Sequence, residues 1–198
     1  MNKILKIDQL IRLYEKGFFP MAKSSYNKKI NFYKPNKRFI IPINEFHIPK
    51  KLYAEFKKNK FQFSINTNFL SVINNCRKPR KKKDDTWINQ LIIDTYQELF
   101  KRNFVKSIEC YYNNKLVGGL YGVHIGGCFF GESMFSLVNN TSKLCLLYLI
   151  SILKKNNFTL LDSQFYNSHL VQFGGYEILD KKYQKILKEG INSKNLFP

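Results

Sequence analysis

The stretch VKSIECYYNNKLVGGLYGVHIGGCFFGESMF, residues 105–135, decides the fold. Val105–Tyr112 and Leu116–Ile125 are strand-like runs, and the Asn113-Asn114 pair between them is a two-residue turn signal, so the spacing predicts a β-hairpin. A third strand follows over Cys128–Phe135. Glycine weakens a strand interior, yet six glycines fall between Gly118 and Gly131, which implies that a ligand or another backbone approaches this surface closely. An ordinary sheet core with bulges is the plainer alternative. Glu132 favours the first reading. It stands among Phe129, Phe130, Met134 and Phe135, and a carboxylate in apolar surroundings needs a partner or a purpose.

Downstream, the pattern predicts a helix from near Thr141 to Lys155, a strand over Phe158–Gln164 and a helix over Asp180–Lys188. The strand carries LLDSQ, residues 160–164. Residues two apart on a strand share a face, which puts Asp162 beside Gln164; such a pair can orient an amine and take its proton. The plain alternative is a surface Asp and Gln at a strand end.

Upstream, residues 86–103 read as a long amphipathic helix capped by Thr86. The first helix runs from Asp8, as its cap, to Gly17, and residues 18–38 read as loop. Phe39–Ile43 is a strand broken by Pro42, hence at a sheet edge. Pro49–Lys58 is a helix with Leu52, Tyr53 and Phe56 inward; Phe61–Ile65 is a strand, and Thr67–Cys76 a helix capped by Thr67. RKPRKKKDD, residues 77–85, is too polar to pack. The fold class is therefore mixed α/β: a small basic N-terminal domain over 1–76, a basic linker over 77–85 and a larger domain over 86–198.

The chain has 198 residues and a net charge of +19; with 44% hydrophobic and 16% aromatic residues it has ample core material, which excludes a disordered basic tail. Residues 1–106 carry 24 basic and 8 acidic side chains, the remainder 9 and 6. The first half thus has the electrostatic footprint of a nucleic-acid partner. Only 5 of the 33 basic residues are Arg, so a general drift toward Lys is the competing explanation. Cys76, Cys110, Cys128 and Cys145 form no CxxC pair, and His47, His124 and His169 are scattered; the expectation is reduced, packed thiols and no metal site. No run is long and apolar enough for a signal peptide or a membrane span, so the expected location is the cytoplasm.

The motifs TWI (86–88), SIE (107–109), LVGGLYGVHIGGCFFGESMFS (116–136), SK (142–143) and LLDSQ (160–164) closely resemble the bacterial leucyl/phenylalanyl-tRNA-protein transferases. The resemblance implies transfer of leucine or phenylalanine, and also methionine, from tRNA to proteins beginning with Lys or Arg, marking them for degradation. It implies a second domain similar to the Gcn5-related acyltransferases; an already activated ester needs no cofactor, and the expected state is a monomer. The family's catalytic pair falls on Asp162 and Gln164. Its donor side-chain pocket falls on Leu120, Phe129, Gly131, Met134, Leu149 and Leu153, with Glu132 and Ser133 beside it. Trp87 and Tyr96 match contacts to the terminal adenosine of the tRNA. The chain departs from the family pattern at Met21 and at Phe32-Tyr33, where the family carries Trp residues. Arg77, Lys78, Arg80, Lys81, Lys82 and Lys83 are candidates for phosphate contacts with the acceptor stem. Glu132, Asp162 and Glu109 are candidates for receiving a cationic acceptor. A CoA-dependent N-acyltransferase is the rival enzyme, but the R/QxxGxG/A loop for its pyrophosphate is absent between Gly126 and Ser151. A non-catalytic RNA-binding protein is the rival from another class.

Overall fold

The computed structural model describes residues 4–79 and 85–198. In chain order these form α1 (Ile7–Glu15), a hairpin of β1 (Phe19–Ala22) and β2 (Ile30–Tyr33), β3 (Lys37–Ile41), α2 (Lys50–Lys57), β4 (Gln62–Ile65), α3 (Phe69–Arg77) and α4 (Gln90–Lys101). The chain continues with β5 (Val105–Tyr112), β6 (Lys115–Ile125), β7 (Cys128–Ser136), α5 (Thr141–Lys155), β8 (Leu160–Asp162), α6 (Ser168–Val171), β9 (Tyr176–Leu179) and α7 (Asp180–Ile191).

The hairpin read from the sequence is β5–β6. Asn113 and Asn114 have φ of 47° and 59°, the left-handed pair that a tight turn between twisted strands requires. β6 then pairs antiparallel with β7. α5 crosses over to β8, which pairs parallel to β7, as a helical crossover allows. α5 is buried on nearly every side, including Leu144, Cys145, Leu149 and Leu153, because it lies across the sheet. The full order is β4-β5-β6-β7-β8-β3-β9. The sheet thus crosses the division expected at 77–85: β3 and β4 from the first 65 residues are hydrogen-bonded to strands from residues 105–179.

Alternation along the strands feeds two cores. Tyr121, Val123, Phe130 and Leu160 pack with α1, α3, α4 and α7 on one face. Leu120, Phe129, Leu161 and Ile41 pack with α2, α5 and α6 on the other. Cys110, Cys128 and Cys145 are buried, reduced thiols. Burial pushes the Cys128 thiol up to about 12, which keeps it protonated and inert.

Several expectations need correction. The strand expected at an edge, β3, lies between β8 and β9; it ends at Ile41, so Pro42 falls outside it and costs the ladder no donor. Residues 18–38 are not all loop, because Phe19–Ala22 and Ile30–Tyr33 pair antiparallel. Four-residue strands are too short to show a period. Asp8 lies within α1 and does not cap it. The caps expected at Thr67 and Thr86 fall on Asn68 and Asn89; Asn89 accepts from the Ile92 amide at 2.8 Å. Thr67 is diverted, its amide and hydroxyl both donating to Glu109. Tyr53, expected inward, is 44% exposed.

The glycine-rich strands are explained mostly by the chain's own close approach. A Cβ at Gly118 would lie 2.4 Å from Thr141 Oγ1, and one at Gly122 would lie 2.3 Å from the Phe130 carbonyl oxygen. Gly131 is different: its Cβ would meet only the Asp162 carbonyl, at 3.4 Å. Gly122→Ala is therefore expected to destabilise the fold by about 1–3 kcal/mol through overpacking, read as a lower urea midpoint, whereas Gly131→Ala should leave that midpoint nearly unchanged.

Candidate active site

β7 and β8 pair only as far as Phe130 opposite Asp162. Beyond that point the two parallel strands part, and a cavity of about 230 Å³ opens between them. Open α/β sheets bind ligands at such carboxyl ends of parallel strands. The walls are apolar on one side, formed by Ile41, Leu120, Phe129, Met134, Leu146, Leu149, Leu161 and Leu170, with Trp87 at the other. Tyr121, Glu132, Ser133, Asp162, Ser163 and Asn167 supply the polar atoms.

A β-bulge sets this arrangement. Tyr121 pairs with Ser133 and Gly122 with Gly131, so Glu132 is the extra residue on β7. The bulge shifts the alternation by one. Phe130 packs with the first core while Met134 joins the second and Phe135 returns to the first. Glu132, two residues past Phe130, faces the tyrosines of α1 and α4, and the shift turns Met134 toward the apolar wall. Bulges are used in this way to re-aim a side chain.

The Glu132 carboxylate is enclosed. Its Oε1 accepts from the Tyr14 hydroxyl at 2.7 Å and from Gln164 Nε2 at 3.0 Å. Tyr14 is also hydrogen-bonded to Tyr96. Because Tyr14 has one proton and gives it to Glu132, Tyr96 is the donor in that pair. Burial pushes both phenols up, so they remain donors. Glu132 itself is raised to about 7, first by loss of solvent, with the Tyr14 and Tyr96 hydroxyls pulling the other way and the Asp162 charge adding to the rise. Its Oε2 has no hydrogen-bond partner among the described residues.

Asp162 is fully buried, and both of its oxygens are engaged. Arg38 Nε donates to Oδ1 at 2.9 Å and to Oδ2 at 3.0 Å, and Arg38 Nη2 donates to Oδ2 at 2.6 Å. The Tyr183 hydroxyl donates to Oδ2 at 2.8 Å, and the Gln164 amide to Oδ1 at 2.8 Å. The strand stops at Asp162, so Gln164 does not reach the site by the two-residue repeat expected of it. It adopts φ 67° instead, and the Asp162 carboxylate holds it there through its backbone amide. The side chain then points at Glu132.

The structure brings Trp87, Leu120, Phe129, Gly131, Glu132, Ser133, Met134, Leu149 and Asp162 to the cavity. Gln164 reaches it through Glu132. Leu153 and Tyr96 are fully buried behind it and are not on its wall. Arg77 donates to Gln90 Oε1 at 3.0 Å and Lys78 to Asn75 Oδ1 at 2.8 Å; Arg80, Lys81, Lys82 and Lys83 lie outside the described residues. Glu109 is not open to an acceptor: Ser64, Thr67, Asn68 and Ser107 already donate to it. Met21 lies on β1 opposite Asn31, and Tyr33 stacks on Phe19 at 6.1 Å.

Tyr14, Arg38 and Tyr183 were not singled out by sequence reasoning. Tyr14 and Tyr183 are indistinguishable from core positions of amphipathic helices. Arg38 did leave a signal: in a chain that places Lys almost everywhere, a retained Arg marks a site that needs the two-pronged guanidinium. No cluster of three metal-ligating side chains occurs among the described residues, and no helix among them is long and apolar enough to cross a membrane.

Residues 40–188 match the family model described as leucyl/phenylalanyl-tRNA protein transferase. A protein of that name from Zymomonas mobilis is 39% identical over 193 residues, covering 98% of this chain and 72% of the relative. One from Caulobacter vibrioides is 39% identical over 191 residues, covering 96% and 88%. Among solved structures the chain is similar to L-PGS from Bacillus licheniformis, at a TM-score of 0.44 and 15% identity over 83% of this chain and 55% of that one. It is also similar to a ribosomal-protein-alanine N-acetyltransferase from Brucella melitensis, at 0.40 and 8% over 64% and 89%. With the bulge, the cavity and the β8 carboxylate all inside a match of this length and identity, the chain belongs to the leucyl/phenylalanyl-tRNA protein transferase family.

Proposed function

We propose that this chain moves a leucyl or phenylalanyl group, and also a methionyl group, from the ester at the end of its tRNA to the α-amino group of a protein beginning with Lys or Arg, which marks that protein for degradation in the cytoplasm. The observation that carries this reading is an apolar cavity ending on a buried carboxylate, one oxygen of which has no hydrogen-bond partner among the described residues. The apolar wall suits the donor side chain. Leu120, Met134, Leu146 and Leu149 can re-pack around leucine, methionine or phenylalanine, since a methylene more or less is worth only about 1–3 kcal/mol of discrimination and Met adapts readily.

The chemistry asks little more. The donor is already an activated ester, so the protein has mainly to align an amine with a carbonyl. An α-amine titrates at roughly 7.7–8.0, close to the value of about 7 held by Glu132, so a proton passes between them with little cost either way. Glu132 is the proton acceptor in this reading. Gln164 orients the exchange, and Asp162 acts through Gln164, because its own oxygens are occupied. For the same reason Glu132 is the one of the three acidic candidates with an oxygen left for a cationic acceptor. Arg77 and Lys78, together with Arg80, Lys81, Lys82 and Lys83, are assigned to phosphates of the acceptor stem, and the protein acts as a monomer without a cofactor.

Incubation with tRNA charged with labelled leucine, and with peptides beginning Lys, Arg or Ala, should label the first two only; tRNA binding without transfer would favour the non-catalytic rival. Asp162→Ala and Gln164→Ala should each lower turnover by about a hundredfold, with affinity for charged tRNA kept. The rate should fall below about pH 7 as Glu132 takes up a proton, and Glu132→Gln should remove that limb along with most activity. Because its folded value is raised, Glu132 favours the folded state below the ordinary carboxylate range and loses that contribution as pH rises through about 7; Glu132→Gln should therefore raise the thermal midpoint at pH 8 more than at pH 5. Neutralising Lys81, Lys82 and Lys83 together should flatten the salt dependence of tRNA binding by roughly one unit of slope per lost phosphate contact, and an unchanged slope would remove them from the interface.

A further inference from the structure

Two buried side-chain atoms have no hydrogen-bond partner among the described residues, Glu132 Oε2 and the hydroxyl of Tyr121, and both residues line the same cavity. Native interiors rarely leave a polar atom unpaired, because the lost solvation is not recovered. The two sit on neighbouring strands. Tyr121 pairs across the ladder with Ser133, the residue after Glu132. The ring of Tyr121 is clamped, edge-on to Tyr96 at 5.8 Å and to Phe69 at 5.7 Å, so its hydroxyl cannot swing away to find a partner. Burial and the nearby Glu132 charge both push this phenol up, so it stays protonated.

The chemistry of the pair restricts what can satisfy it. An ionised carboxylate only accepts, whereas a hydroxyl donates and accepts. A carbonyl or ester oxygen would set its lone pairs against those of Oε2. An amine with two or more N–H bonds can donate to both atoms at once.

We propose that Tyr121 is a substrate-contacting residue, whose hydroxyl and Glu132 Oε2 together seat the α-amine of the acceptor polypeptide. The assignment rests on the reading that the acceptor amine is acylated at this cavity. The α-ammonium gives one proton to Glu132 Oε2 and keeps a second N–H on the Tyr121 oxygen. The freed lone pair attacks the ester carbonyl carbon. The new C–N bond forms as the C–O bond to the ribose breaks; the nitrogen's second proton passes to the leaving ribose oxygen, and the proton taken up by Glu132 is released to solvent.

Tyr121→Phe tests this with the ring retained and only the hydroxyl removed. In the folded enzyme without substrate the change deletes an unpaired buried hydroxyl, so the thermal midpoint should stay level or rise. In the transfer of labelled leucine to a peptide beginning Arg, kcat/KM for the peptide should fall about tenfold, the equivalent of one hydrogen bond, while KM for the charged tRNA stays near that of wild type, because the hydroxyl is assigned to the acceptor. Wild-type kcat/KM for the peptide would overturn the assignment. So would a lowered midpoint with activity lost only in proportion to the unfolded fraction, since that makes the hydroxyl structural. If the wild-type protein itself transfers no leucine, the broader reading fails first and this one with it; if wild type and variant transfer alike, only the role of Tyr121 is lost.

Discussion

The contact between Arg38 and Asp162 is the constraint on which the site depends. A carboxylate this deeply buried is costly unless paired and fully hydrogen-bonded. Here the guanidinium meets it through Nε and Nη2, and Tyr183 and the Gln164 amide supply the remaining donors. The third arm of Arg38 donates to the Gly17 carbonyl at 2.7 Å, just past the end of α1. Its flat face lies over the rings of Phe19 at 4.7 Å and Tyr183 at 4.6 Å. One side chain on β3 therefore joins α1, the β1 hairpin, the end of β8 and α7. Lysine, with a single point of charge, has no fork with which to make these contacts.

That network changes the electrostatics around the cavity. Arg38 offsets part of the Asp162 charge felt at Glu132, and the geometry of Asp162 is fixed. Glu132 is left as the carboxylate that answers to solvent exclusion, which is why it is raised to about 7. The two acids differ because their neighbours differ: one is surrounded by donors, and the other has donors on one oxygen only.

Much of this was legible in the sequence, and the limits have physical causes. The hairpin at Asn113-Asn114, the span of α5 and the peculiarity of Glu132 follow from local rules: turn chemistry, apolar periodicity and the cost of a carboxylate among phenylalanines. The place of β3 in the sheet does not, since a proline one residue beyond a strand end looks the same in sequence as one inside it. The bulge was hinted at by the glycines, but which residue it expels depends on register with β6. The partners of Asp162 were out of reach altogether. Arg38 is 124 residues away and Tyr183 21 residues away, and no periodicity links positions on different elements. The Asp162–Gln164 pairing was anticipated for the wrong reason. A strand repeat would have set them side by side, whereas the chain breaks into a left-handed residue and brings the amide of Gln164 back onto Asp162.

The charge of +19 and the buried carboxylate act at different ranges. Basic side chains in the first half attract a polyanion over distances set by the Debye length, about 8–10 Å at ordinary ionic strength, and carry no information about which amino acid it bears. In the proposed transfer that choice falls to the apolar wall, where burial is short-ranged and insensitive to salt. With Glu132 facing the tyrosines, a single inserted residue turns Met134 toward the leucines, so in the proposed reaction an apolar side chain can lie on one side of the parted strands while an amine meets a carboxylate on the other. Without the extra residue the alternation of β7 would carry Met134 to the tyrosine face alongside Glu132, and the cavity would lose one side of its apolar wall.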